Sequence, residues 1–367
     1  MALGPLVRLE GISVGQMPPS GNGVKPSTEI STTAKSSGGS GSTTAPTLKD
    51  FITNVLSEAV PFIDGVAPKD GSASTWKSKG SPKVYSSSEA PVYLYERRVA
   101  GADLDQIEGM SQFSADRKDE TWFCRRSCHK DKSRIRTASW GEFKHAFKEH
   151  HSESEKAFTP TVIGQREAIR WDTAGIEVQV RGELWVNTLM VVEEMTHKID
   201  PKPLKNRTFP VVQVAAELAG TDEFLVVSIP LTDFEKSPYS EYTRDKSLVV
   251  AAYASVERIR VIRNVGEVEW LMATASNAGG VLPQWVQNLA VPSAVAKDVD
   301  LFLSWIAMQR NSNGKTIQHS KSGSEKEALP SATAPPPISK NEDKATEASS
   351  IDKDLPIAPG KQSESDA

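Results

Sequence analysis

Cysteine is nearly missing from this chain: Cys124 and Cys128 are the two thiols in 367 residues. That excludes a disulfide-stapled scaffold, and with nothing to complete a ligand quartet it argues against a structural zinc site. Long apolar runs are missing as well. No stretch approaches the roughly 18 to 20 uninterrupted apolar residues that cross a bilayer as a helix. Met1–Val7 is too short for the apolar part of a secretory leader. The expectation is a cytoplasmic protein with reduced thiols, in which the sequon Asn206-Arg207-Thr208 is chemically idle. An excess of positive charge is also lacking, since the net charge is -4 and the pI is near 6.0. Without a basic field to steer phosphate, nucleic acid is not the expected partner. Local basic patches leave room for transient contact with an anionic membrane surface.

The usual catalytic spellings are absent too. There is no phosphate loop, dinucleotide fingerprint or His-Glu-x-x-His helix. Gly11-Ile12-Ser13-Val14-Gly15 has a hydrolase-like spacing, but Met17-Pro18-Pro19 follows where that serine would need a helix. His150-His151 lies among Glu149, Glu153 and Glu155 and reads as a solvated, charged helix end. No metal, cofactor or catalytic residue is therefore expected.

Composition divides the chain into three parts. Residues 1–46 are largely Ser, Thr, Gly and Pro and read as a flexible arm, because they cannot bury enough apolar surface to offset ordering entropy. Residues 311–367 read as a disordered tail, with a polyproline-like Ala334-Pro335-Pro336-Pro337. Between them, 47–310 should form one folded domain. Thr47 caps a short helix that should stop before Pro61. Strands are expected over 91–99, 120–128, 183–195, 207–218, 224–229, 248–262 and 267–276. Helices are expected over 140–150 and 293–310, and short polar connections favour antiparallel neighbours.

The last helix carries Val295, Val299, Phe302, Leu303 and Ile306 on one stripe, widened by Leu301, Trp305 and Met308. So broad an apolar surface must be covered on more than one side. The helix either plugs a curved sheet completely or leaves room between helix and sheet, and the sequence fits both. Strand alternation turns Tyr253, Ser255 and Glu257 inward, together with Trp270, Met272 and Thr274 of the next strand. Arg258, Arg260, Glu267 and Glu269 fall on the opposite face.

Several short motifs resemble the START superfamily of lipid-transfer proteins, within it a fungal group whose domain has no assigned function. They are Arg125-x-Ser127-x-His129, Glu194-Met195-Thr196-His197 and Arg207-Thr208-Phe209. The stretch from Tyr253 to Arg260, the run Ala273 to Pro283 and the closing helix complete the likeness, which spans roughly Lys83 to Arg310. The resemblance implies an α+β helix-grip fold: a curved antiparallel sheet wrapped around a long C-terminal helix, with a tunnel for a lipid or sterol. It also makes Arg125, Ser127, His129, Tyr253, Glu257, Trp270, Met272, Phe302 and Ile306 the expected ligand-contacting set. A buried ion-pair network that merely braces the sheet would use the same polar residues.

Three functions fit this reading. The first is binding, with or without intermembrane transfer, of a hydrophobic ligand by a monomer without catalysis. The second is an enzyme on the same scaffold, using His129 with Glu194 or Glu257. The third is an interaction module recruiting partners through its tails. Loops 200–206 and 231–246, rich in lysine and aromatics, are the expected gates.

Overall fold

A computed structural model of the chain describes residues 4–19, 46–107, 117–200, 202–279 and 284–321. The strands are β1 Lys77–Ser78, β2 Tyr93–Val99, β3 Glu120–Lys130, β4 Val162–Arg170, β5 Val178–Val180 and β6 Glu183–His197. They continue as β7 Arg207–Leu218, β8 Glu223–Pro230, β9 Val249–Val250, β10 Ala252–Ile262 and β11 Glu267–Asn277. The helices are α1 Leu48–Asp64, α2 Gly101–Leu104, α3 Trp140–Lys144, α4 His151–Phe158 and α5 Gln284–Lys321. One sheet runs β1-β2-β3-β11-β10-β8-β7-β6-β4, with β5 beside β6 and β9 beside β7. Every pairing is antiparallel except the two-residue contact of β9 with β7. With α5 packed on one face, this is the helix-grip arrangement.

Register explains why distant residues meet. Direct partners in antiparallel strands share a face. Arg125 of β3 lies opposite Met272 of β11, Met272 opposite Glu257 of β10, and Glu257 opposite Val226 of β8. The neighbouring same-face row runs Ser127, Trp270, Ile259 and Phe224. Against this face pack Phe143 and Phe147 and, from α5, Val295, Val299, Phe302, Leu303 and Ile306. The expected apolar stripe is thus buried, whereas Met308 is exposed.

The other face is covered as well. α1 lays Phe51, Ile52, Val55, Leu56 and Ile63 against Trp122, Leu225, Val227 and Leu271. Thr47 caps it, its hydroxyl accepting the Asp50 N–H at 3.1 Å. Pro61 does not end the helix as expected. Its missing N–H costs one bond near the last turn, while Phe62 and Ile63 beyond it are buried. The polar face of β10 and β11 is largely covered, with Arg260 and Glu267 partly exposed. Arg258 and Glu269 are fully buried and bonded to each other at 3.2 Å, and Arg258 also pairs with Asp64 of α1.

The flexible-arm expectation fails for residues 4–19. Val7, Ile12 and Met17 are buried in the α1 core, Arg8 pairs with Glu120 at 3.4 Å, and Glu58 accepts the Val7 N–H at 2.8 Å. Gly11 has φ +75°, and a Cβ there would sit 2.3 Å from the Pro230 carbonyl oxygen, so the close approach needs glycine. Ser13 caps a single 3-10 turn, Val14–Gln16, in place of any catalytic elbow. The remaining arm, residues 20–45, lies outside the described residues. So does the tail from 322, while α5 runs on past residue 310 to Lys321. Of the run Ala273 to Pro283, residues 280–283 also lie outside them.

Candidate functional site

A half-open cavity of about 230 Å³ lies between the α5 face of the sheet, α4 and α5. Its walls are Phe147, Phe158, Phe209, Val226, Met272, Val291, Ala294 and Val295, interrupted by a small polar set. A larger groove of about 560 Å³ lies on the far face beside Val14, Trp171 and Tyr239. It gathers no comparable set of charged groups, so the cavity under α5 is the candidate site.

Four of the nine expected residues line the cavity: Arg125, Tyr253, Glu257 and Met272. The other five are buried but not among its lining residues. Ser127 and His129 bond each other at 2.8 Å, the His129 ring lying 5.7 Å from that of Phe143. Burial, and then the charge of Arg125, push His129 down to about 3, so it stays neutral. Trp270 meets Phe147 in a tilted contact at 4.7 Å and Phe302 edge-to-face at 5.4 Å, and Phe302 with Ile306 anchors α5 to this cluster. Aromatic side chains thus fill the part of the concavity that a longer tunnel would need.

Glu257 is the hub of the polar set. It accepts from Trp270 Nε1 at 2.6 Å and from Arg125 at 3.4 Å, and it pairs with His151 Nε2 at 3.5 Å. Burial alone would raise its pKa, but His151 and Arg125 outweigh that and hold the carboxyl below its usual range. Burial opposes charging of His151 too, yet the Glu257 hydrogen bond and charge lift it to about 9. The Arg125 guanidinium lies 3.6 Å from the centre of the Trp270 ring, which fixes its plane. Tyr253 completes the floor, its phenol raised by burial and bonded to Ser228.

His151 was expected on a solvated helix end, and that expectation is corrected. Sequence reasoning missed it because α4 is dense in charge, although His151, Glu155 and Phe158 recur at i, i+4 and i+7 and all line the cavity. A π-helical turn, His145–Glu149, precedes α4, and the ladder breaks at His150 (φ -133°). This offset separates exposed His150 from His151, which faces inward. Asp298 of α5 also lines the cavity and was not anticipated. Burial raises its carboxyl to about 7, and Arg125 pulls the other way.

The remaining motif residues divide between site and frame. His197 and Phe209 line the cavity with ring centroids 5.1 Å apart. Glu194 is pinned by Arg166 at 2.8 Å and by the Thr243 N–H at 2.7 Å, and Arg207 donates to the Ala278 carbonyl at 3.0 Å. Among the described residues, neither expected gate loop contributes to the lining, and Phe234 is buried in the α1 core instead. His145, Glu149 and His150 lie close enough to meet a cation, but all three are exposed.

Among solved structures, human STARD10 is 15% identical, with 71% of this chain and 83% of that chain covered and a TM-score of 0.44. Human StAR-related lipid transfer protein 5 is 11% identical, with 70% and 99% covered and a TM-score of 0.42. A STAR-related lipid transfer protein from Xanthomonas axonopodis is 13% identical, with 63% and 96% covered and a TM-score of 0.36. No curated protein matches the sequence. A family model matches residues 122–306, half of the chain, a range that holds all the cavity-lining residues. The chain belongs to the family described as "Protein of unknown function (DUF3074)".

Proposed function

We propose that this chain binds a hydrophobic ligand in the cavity under α5 and holds it without transforming it. The observation that carries this reading is the cavity itself, a half-open space with largely apolar walls and a few polar groups in its lining. Its volume, about 230 Å³, is below the roughly 300–1,000 Å³ of pockets for drug-sized ligands. It suits a single slender chain or one end of a larger lipid or sterol, with the polar end among the polar groups that line the cavity. The lipid-transfer likeness of the sequence motifs implies the same ligand class.

Binding without catalysis is favoured by the state of His151, the cavity histidine that pairs with a carboxylate. His151 is protonated at neutral pH and engaged by Glu257, so it has no free lone pair to act as a base. No helix among the described residues is long and apolar enough to cross a membrane. We propose that the ligand is exchanged at a membrane surface from a cytoplasmic protein. Solvent extraction of the purified full chain, read by mass spectrometry, tests the reading. An apolar molecule should be recovered from it and be lost from a Val295→Phe variant, which narrows the cavity. Equal recovery from both would place the ligand elsewhere.

A further inference from the structure

Five charged side chains line the cavity: Arg125, His151, Glu155, Glu257 and Asp298. Both cations are committed to Glu257, at 3.4 and 3.5 Å. Arg125 Nε and Nη1 have no hydrogen-bond partner, but they are sealed from the cavity surface as the guanidinium lies over Trp270. No cation therefore remains for an anionic ligand group to reach. The carboxyls are in the opposite condition. Among the described residues, neither Glu155 nor Asp298 makes a hydrogen bond or an ion pair through its side chain. They face one space from two helices, α4 and α5, and Glu155 acts electrostatically on Asp298. With both cations on Glu257, neither Glu155 nor Asp298 has one, and burial, the cost of an unpaired charge among apolar walls, holds Asp298 up to about 7. A ligand bringing a positive charge offsets that cost, and a ligand bringing a negative charge adds to it.

We infer that the cavity takes a single-chain amphiphile ending in a protonated amine, with the ammonium between Asp298 and Glu155 and the chain along Phe147, Phe158 and Phe209. This rests on the reading of the cavity as a ligand site and names the ligand's chemical class. The ammonium supplies three donors to two carboxyls that lack them. The aromatic faces suit both the chain and the cation. Phosphate and carboxylate heads meet Asp298 and Glu155 with like charge, and the volume accommodates one chain and not two.

Titration of the full chain with decylamine, decanol and decanoate, all below their micelle concentrations, tests this. Decylamine should bind at least tenfold more tightly than decanol, and decanoate should be weakest. Asp298→Asn should weaken decylamine at least tenfold and leave decanol unchanged. Glu155→Gln, on a half-exposed position that does not brace the core, should act in the same direction. Decanoate binding as tightly as decylamine, or an amine preference surviving both substitutions, would overturn the inference while leaving the cavity a ligand site. If none of the three probes saturates the protein, both readings fall together.

Discussion

A single carboxylate organises the polar end of the cavity. Glu257 receives Arg125, His151 and Trp270, and it is the only acid close enough to neutralise those two buried cations directly among the described residues. Removing one partner from a buried ionic cluster leaves the others uncompensated. Glu257→Gln should therefore cost about 3–5 kcal/mol, seen as a fall in melting temperature of roughly 2–4 °C per kcal/mol for a domain of this size. A change within a degree would mean that the cluster is hydrated and not braced. His151 gives a second handle. Its folded-state pKa, about 9, lies above its ordinary value of 6.5, so the protonated form stabilises the fold. That contribution is complete below about pH 6.5 and is lost as pH rises through 9. The groups facing His151 are Glu257 of β10, Glu193 of β6, Gln213 of β7 and Glu155 of its own helix. Asp298 and Glu193, each raised to about 7, act in the same direction but finish their titration lower. Between pH 7 and 9 the melting temperature should fall, and His151→Gln should flatten that slope. An unchanged slope in the variant would assign the effect to another group. At this scale Tyr253, Glu257 and Met272 were legible because period-two alternation turns them to one face, and Arg125 through the Arg125-x-Ser127-x-His129 motif. His151 and Asp298 were not, since their roles depend on how α4 and α5 lie over the sheet, and alternation within a strand says nothing about that.

Elements were legible where one physical signal dominated. The cap at Thr47, the alternation of β10 and β11, and the apolar stripe of α5 each led to the observed element. The signal failed where apolar residues stood singly. Val7, Ile12 and Met17 have no helical or strand period, so the segment reads as a loop, yet it is anchored by Arg8, by Glu58 and by the glycine turn at Gly11. Gly11→Ala should cost about 1–3 kcal/mol, the usual size of a forced left-handed or clashing backbone. Limited proteolysis should then cut within residues 4–19 while the sheet resists. Equal resistance of variant and parent would show that the strap does not depend on this turn. α4 was misread because its charges suggested solvent, although its cavity-facing edge is itself charged. α5 joins the cavity to the aromatic cluster, and Phe302 is its fully buried anchor. Phe302→Ala should cost about 3–5 kcal/mol and extend the cavity toward Trp270 and Phe147. Longer-chain ligands should gain affinity relative to short ones in that variant. If chain-length preference stays fixed, the cavity does not grow in that direction.

At the scale of the molecule, the sheet separates two cores with different tasks. The face under α1 and the N-terminal strap is closed, and its buried charges satisfy one another through Arg258, Glu269 and Asp64. The face under α5 is closed by aromatics at one end and left hollow at the other. Sequence reasoning anticipated the grip and a mostly apolar inward face with a few polar groups, but could not say how far the concavity was filled. That depends on whether Phe143, Phe147 and Phe302 meet, which is a matter of packing and not of pattern. The central claim is that the hollow end holds an apolar ligand. The most direct test is a titration of the full chain with an environment-sensitive, single-chain alkyl fluorophore, beside a Val295→Phe variant shown by melting to be folded. The account predicts saturable one-to-one binding to the parent chain and its loss in the variant. Binding that never saturates, or that survives Val295→Phe unchanged, would contradict it.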